Sequence, residues 1–135
     1  MSARLNIRDD GDVIVIDAYG KLATGQERHS LHAQLRRLAV SGRKRILLNL
    51  AALPSMDSAD IGELMAGHAA IAMAGGVIKL LSPLGQVADI LRETQITKLM
   101  DAYPNEASAI MSFTDLTPRL RMAARNEPRS EWYYG

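Results

Sequence analysis

Apolar and polar positions alternate over residues 5–7, and a β-branched run, Val13-Ile14-Val15-Ile16, follows the turn sequence Asp9-Asp10-Gly11-Asp12. Asp-Gly between apolar runs is a hairpin signal, and β-branched side chains suit a pleated strand. The pattern predicts strands over 4–8 and 12–18, paired antiparallel. Gly20 breaks the run. Thr24-Gly25-Gln26-Glu27 has the form of a capping box, and Leu31, Leu35 and Leu38 then recur at helical spacing until Gly42. Ile46-Leu47-Leu48-Asn49-Leu50 is nearly all apolar, as in a strand buried on both faces. A loop with Pro54 covers 51–56, and Asp57-Ser58-Ala59-Asp60 opens a second helix. Its predicted inner face is Ile61, Leu64, Met65, Ala69 and Ala72, and Gly75-Gly76 ends it. Residues 77–81 form the next strand. Val87, Ile90 and Leu91 mark a short helix, Asp101-Ala102-Tyr103 a brief edge strand, and Pro104 suits the first turn of a last helix reaching about Phe113.

The order is β-β-α-β-α-β-α-β-α. Strand–helix alternation after residue 42 implies parallel strands with right-handed crossovers, and the opening hairpin makes the sheet mixed. The fold class is therefore α/β, with about five strands and about four helices. Residues 1–113 are expected to form the domain and 114–135 a tail. That tail ends Trp132-Tyr133-Tyr134-Gly135 and holds three of the six aromatics of the chain. It reads either as a loose end or as a docked segment, since such rings are favoured at interfaces. Deleting 118–135 is expected to leave the fold intact.

Composition narrows the function more than it names it. A chain of 135 residues is one ordinary domain, and 47% apolar with 23% charged residues marks it as globular. With no cysteine there are no disulfides, thiolate metal sites or cysteine nucleophile. A net charge of +1 gives no general bias toward nucleic acid or anionic lipid. Arg36, Arg37, Arg43, Lys44 and Arg45 cluster at the end of the first helix, without neighbouring aromatics for base stacking. They are read as a solvated helix end. No apolar run approaches the roughly 20 residues of a membrane helix, and residues 1–8 lack the apolar core of a signal peptide. A cytoplasmic location is expected.

Catalytic signatures are missing. There is no Gly-rich phosphate loop. His29 and His32 lie three apart on the first helix and His68 lies on the second, with no carboxylate signature to complete a metal site. Ser58 is not in a Gly-x-Ser-x-Gly elbow. No catalytic residue, metal or cofactor is expected.

The informative segment is Asn49-Leu50 followed by Met56-Asp57-Ser58-Ala59-Asp60-Ile61-Gly62. Asp and Ser are favoured capping residues, and an acid in the first turn suits the helix dipole. A phosphate on Ser58 would also sit where helix N–H groups favour an anion. With Asp57 and Asp60 beside it, roughly two added negative charges would make a strongly negative knob. A partner docked over this loop would be repelled.

These residues resemble the STAS signature, in which a strand ending Asp-Leu or Asn-Leu leads to Asp-Ser-Ser-Gly-Leu-Gly. Gly20-Lys21-Leu22 with Thr24 is similar to the turn into the first helix of that family. Ala74-Gly75-Gly76 is similar to its Gly-Gly before the fourth strand, and Ser82-Pro83 with Val87-Ala88-Asp89-Ile90-Leu91 to its third-helix segment. The resemblance covers about residues 4–113. It implies a small mixed sheet with helices mainly on one face, and a non-enzymatic anti-sigma factor antagonist. The phosphorylated serine would be Ser58, with Met56, Asp57, Ser58, Ala59, Asp60 and Ile61 forming the partner-binding surface. It implies two partners, a GHKL-type serine kinase that is also an anti-sigma factor and a metal-dependent serine phosphatase, with a monomer or weak dimer in solution. Unphosphorylated protein would bind the kinase, and phosphorylated protein would release it. Two residues depart from the signature: Ala59 replaces the second serine and Asp60 the glycine. A different reading makes the chain a constitutive scaffold subunit of a larger regulatory or transporter-associated complex, with Ser58 merely a cap. A nucleotide-binding domain has less behind it.

Overall fold

The computed structural model describes residues 4–20, 22 and 30–114. The elements are β1 (Arg4–Asp10), β2 (Val13–Tyr19), α1 (Leu31–Val40), β3 (Arg45–Asn49), α2 (Ser58–Met73), β4 (Val77–Leu81), α3 (Gly85–Glu93), a 3-10 turn (Ile96–Lys98), β5 (Ala102–Tyr103) and α4 (Glu106–Thr114). The five strands stand in the order β1-β2-β3-β4-β5. β1 and β2 are antiparallel, with Asp10 opposite Val13 across a two-residue turn that uses a left-handed Gly11. The remaining neighbours are parallel. The α/β order read from the sequence holds.

Strand alternation divides the core. Ile14, Ile16, Ile46, Leu48, Ile78 and Leu80 face α1, α2 and α3, together with Leu35, Leu64, Ile71 and Leu91. Val13, Val15, Leu47 and Leu81 face the other way and are covered by Ala109, Ile110 and Phe113 of α4. Three helices on one face and one on the other match the expected lopsided packing. Among the described residues no helix is long and apolar enough to cross a membrane.

Several boundaries differ from the sequence reading. The box Thr24–Glu27 and the tail from residue 115 lie outside the described residues. The described helix α1 is capped by Ser30, whose hydroxyl accepts from the Ala33 N–H at 3.2 Å. Helix α4 starts at Glu106 rather than at Pro104, because the Asn105 side chain accepts from the Ser108 N–H at 2.9 Å and serves as its cap. On α2 the buried stripe is Asp60, Leu64, Gly67 and Ile71, while Ala69 and Ala72 are not buried. Alanine is at home on either face of a helix, so it does not fix the face, whereas α1 does. A Cβ on Gly67 would lie 2.3 Å from Leu35 Cδ1, so the two helices meet at that glycine.

Candidate functional site

The loop between β3 and α2 is shaped by burial at every third residue. Leu50, Leu53 and Met56 are buried, while Ala51, Ala52, Pro54 and Ser55 are exposed. The Leu50 N–H donates to the Leu81 carbonyl at 2.9 Å, and the Leu53 N–H to the Leu50 carbonyl at 3.0 Å. Asn49 starts the loop from the strand end. Its side-chain oxygen accepts from the Ala51 N–H at 3.0 Å, and its amide donates to Asp17 at 2.8 Å.

The loop ends in a reciprocal cap. Asp57 Oδ1 accepts from the Asp60 N–H at 2.9 Å, and Asp60 Oδ2 accepts from the Asp57 N–H at 3.0 Å. The other oxygen of Asp60 accepts from the Leu22 N–H at 3.0 Å, and the Leu22 carbonyl in turn accepts from the Leu31 N–H at 3.3 Å. One carboxylate therefore joins Leu22, the end of the loop and the start of α2. It is 1% exposed. A buried carboxylate is tolerable only when its oxygens are hydrogen-bonded, as they are here.

Met56 is clamped from a third direction. Its N–H donates to Gln86 Oε1 at 2.9 Å, and its carbonyl accepts from Gln86 Nε2 at 3.2 Å. The Gln86 amide thus acts as a short stretch of strand partner, carried on the first turn of α3. Sequence reasoning missed this residue. A glutamine on an exposed helix start gives no signal, because its partner lies 30 positions away.

Asp57, Ser58 and Ala59 are exposed, and Ile61 is half-buried. Met56 and Asp60, both expected in the partner-binding surface, are buried. Met56 fills the core beneath the loop, and Asp60 turns inward because two backbone N–H groups require an acceptor there. The predicted acidic flank of Ser58 is thus Asp57 alone. Among the described residues no side-chain hydrogen bond engages the Ser58 hydroxyl.

A polar network lies on the sheet face under α4. Arg8 donates to Asp17 at 2.8 and 3.2 Å and to Glu106 at 3.0 and 2.8 Å, and Asn6 donates to Asp17 at 3.2 Å. The hydrogen bonds from Arg8 hold the carboxyls of Asp17 and Glu106 below their ordinary range, against desolvation. The same two carboxylates, Glu106 first, raise the already high pKa of Arg8. A lone acid in the apolar run of β2 was the available sequence signal, since such a residue needs a partner. Lys79, on the same face, donates to Ser112 and lies 4.7 Å from the Phe113 ring centroid and 5.5 Å from that of Tyr103. Burial lowers its pKa, partly offset by Asp101.

His29 lies outside the described residues, and the backbone N–H of His32 donates to Glu63 at 2.7 Å. His68 is half-buried on α2, and its Nδ1 has no hydrogen-bond partner among the described residues. Among those residues no group of three or more His, Asp and Glu side chains is placed to hold a metal ion.

Comparisons with known proteins agree on this architecture. A family model for the STAS domain matches residues 4–109. A sequence comparison with curated proteins found no match. Among solved structures, an anti-sigma factor antagonist from Mycobacterium paratuberculosis is 16% identical. It has a TM-score of 0.71, with 84% of this chain and 96% of that one covered. The anti-sigma factor antagonist SpoIIAA in its unphosphorylated form is 19% identical, with a TM-score of 0.69 over 82% of this chain and 96% of that one. The Bacillus cell fate determinant SpoIIAA in its phosphorylated form is 20% identical, with a TM-score of 0.61 over 87% of this chain and all of that one. The murine Slc26a9 anion transporter shares the fold over 77% of this chain and only 18% of its own length, at 13% identity and a TM-score of 0.59. With the family model spanning most of the chain and the fold repeated in these structures, this protein belongs to the STAS domain family.

Proposed function

We propose that this chain is an anti-sigma factor antagonist whose affinity for a protein partner is set by phosphorylation of Ser58. The carrying observation is an exposed serine as the first residue of α2, on a helix start already held rigid by its neighbours. Helix geometry leaves the first-turn N–H groups without intrahelical acceptors, so a phosphate there is electrostatically supported from below. Asp57, exposed beside it, adds negative charge on the outer side. Phosphorylation would therefore change the outward charge of the loop without remaking its frame. That SpoIIAA has been solved in unphosphorylated and phosphorylated forms on this same fold supports the idea of a switch that spares the fold.

The unphosphorylated loop would bind a serine kinase of the GHKL type that is also an anti-sigma factor, with the ATP held by that partner. Asp57, Ser58, Ala59 and Ile61 would carry the contact, and a metal-dependent phosphatase would reset it. The protein itself performs no catalysis in this scheme and works as a monomer or weak dimer. The domain would be complete without residues 114–135. Desolvating a phosphate and a carboxylate at the interface costs several kcal/mol, on the order of a thousandfold in affinity.

The test is phosphosite mapping of protein recovered from its source cells under several growth conditions. Phosphate on Ser58, with an occupancy that varies with condition, is the expected result. A Ser58 unmodified in every condition, with phosphate on another residue or none, would overturn the proposal.

A further inference from the structure

The loop that leads to Ser58 is held differently at its two ends. At the far end Asp60 and Gln86 bond backbone groups directly. At the start, the Asn49 side-chain oxygen accepts from the Ala51 N–H at 3.0 Å, and its amide nitrogen donates to Asp17 Oδ1 at 2.8 Å. A backbone N–H and a guanidinium only donate, and a carboxylate only accepts, whereas a carboxamide can present either end. Asn49 is thus the only link between Asp17 and the loop that can turn around. With its nitrogen toward Ala51, two donors would meet and the bond would be lost.

Asp17 decides which way Asn49 faces. It is 7% exposed, and each of its oxygens accepts from two donors. Oδ1 takes Asn49 and Arg8 Nη2, the latter at 3.2 Å. Oδ2 takes Arg8 Nε at 2.8 Å and Asn6 at 3.2 Å. Arg8 continues to Glu106 in the first turn of α4. An unbroken line of donors and acceptors therefore runs from α4 to the start of the switch loop, and every member of it except Asn49 has a fixed polarity.

We propose that Asp17 is a positioning residue of the switch site: it orients the Asn49 amide and so orders the start of the loop that a partner meets together with Ser58. This deepens the phosphorylation-switch reading and rests on it. Ala51, Ala52, Pro54 and Ser55, the exposed residues of that loop, lead directly to Asp57 and Ser58. A loop ordered beforehand is spared the entropy loss that a loose one suffers on docking. Arg8 accounts for the burial of the Asp17 charge, and the bond to Asn49 adds a direction that the ion pair alone does not need.

Exchanging the two side chains separates this role from the ion pair. In Asp17→Asn the remaining oxygen should stay against Arg8 Nε, which among the described residues bonds Asp17 alone, so the new amide nitrogen faces Asn49 and turns it. In the double variant, Asp17→Asn with Asn49→Asp, the carboxylate at position 49 accepts both from the amide at position 17 and from the Ala51 N–H. Both variants lose the Arg8–Asp17 ion pair, and Arg8 keeps Glu106, so both should fold. Amide hydrogen exchange at Ala51 is read by NMR on the unphosphorylated full chain. It should rise about fivefold in Asp17→Asn, as for the loss of one hydrogen bond, and return to the wild-type rate in the double variant. Asn49→Ala, which leaves the ion pair intact, should show the same rise. With each change made in a Ser58→Ala bait, recovery of the protein that Ser58→Glu fails to bind should fall and return in the same order. Wild-type exchange at Ala51 in Asp17→Asn would overturn the positioning role. So would a double variant that exchanges as fast as the single one, since only the ion pair would then matter. Exchange as predicted with equal recovery on every bait would overturn its bearing on the partner. If Ser58→Glu recovers the same protein as Ser58→Ala, the switch reading fails, whereas the exchange rates, read with Ser58 unchanged, uphold or overturn the orienting of Asn49 on their own.

Discussion

At the scale of single residues, Asp60 decides how the candidate site is held. Its two oxygens accept from two different backbone N–H groups, those of Asp57 and of Leu22. Asp60→Ala should lower stability by about 2–4 kcal/mol, combining a lost cap with a buried N–H left unpaired. Asp60→Asn should also destabilise, because one amide nitrogen would face a donor where the carboxylate presented an acceptor. Urea unfolding of the two variants checks this, and wild-type midpoints for both would contradict the tether. The capping role of Asp57 was legible from residue types alone. The inward turn of Asp60 was not, because its second donor, Leu22, lies 38 residues back along the chain. Acid next to serine is read from sequence as surface charge, and only the fold reveals that one of the two acids is buried.

At the scale of elements, the strands and helices followed the periodicity closely because each carries a clear apolar pattern. The exceptions were helix faces set by a neighbour. Close approaches of backbone are similarly invisible to periodicity. Gly76 sits where a Cβ would lie 2.4 Å from the Lys44 carbonyl oxygen and 2.8 Å from Ile71 Cγ2. Gly76→Ala should therefore destabilise by about 1–3 kcal/mol, since backbone cannot move aside as a side-chain end can. A thermal melt no lower than wild type would show that the approach relaxes freely. Arg8 joins β1 to β2 and α4 through Asp17 and Glu106. Both carboxyls titrate lower in the folded state than unfolded, so their contribution is full above about pH 4.3. It is lost as pH falls through the lowered folded values. Unfolding midpoints measured from pH 7 down to 3 should drop at the acid end for wild type. In Arg8→Ala that drop should shrink, because the carboxyls lose the hydrogen bonds that depress them. An equally steep acid limb in the variant would remove the network from the account.

At the scale of the whole molecule, a mixed sheet with α1, α2 and α3 on one face delivers the start of α2 to the surface on a frame fixed from three sides. Gln86, Asp60 and Asn49 hold that frame, and none of them is the residue proposed to be modified. A charge at Ser58 should accordingly leave the fold alone. Ser58→Glu should melt within about 2 °C of wild type, since an acid in the first helical turn is favoured by the dipole. A large loss of stability would make any binding defect uninterpretable as a switch. The fold and the position of Ser58 could be read from the sequence, but the clamp by Gln86 could not. The most direct measurement is a pull-down from source-cell lysate with Ser58→Ala and Ser58→Glu baits, read by mass spectrometry. A serine-kinase-like protein enriched on Ser58→Ala and lost on Ser58→Glu is the predicted result. Equal recovery of the same partners on both baits would contradict it and leave a constitutive scaffold in which Ser58 only begins a helix.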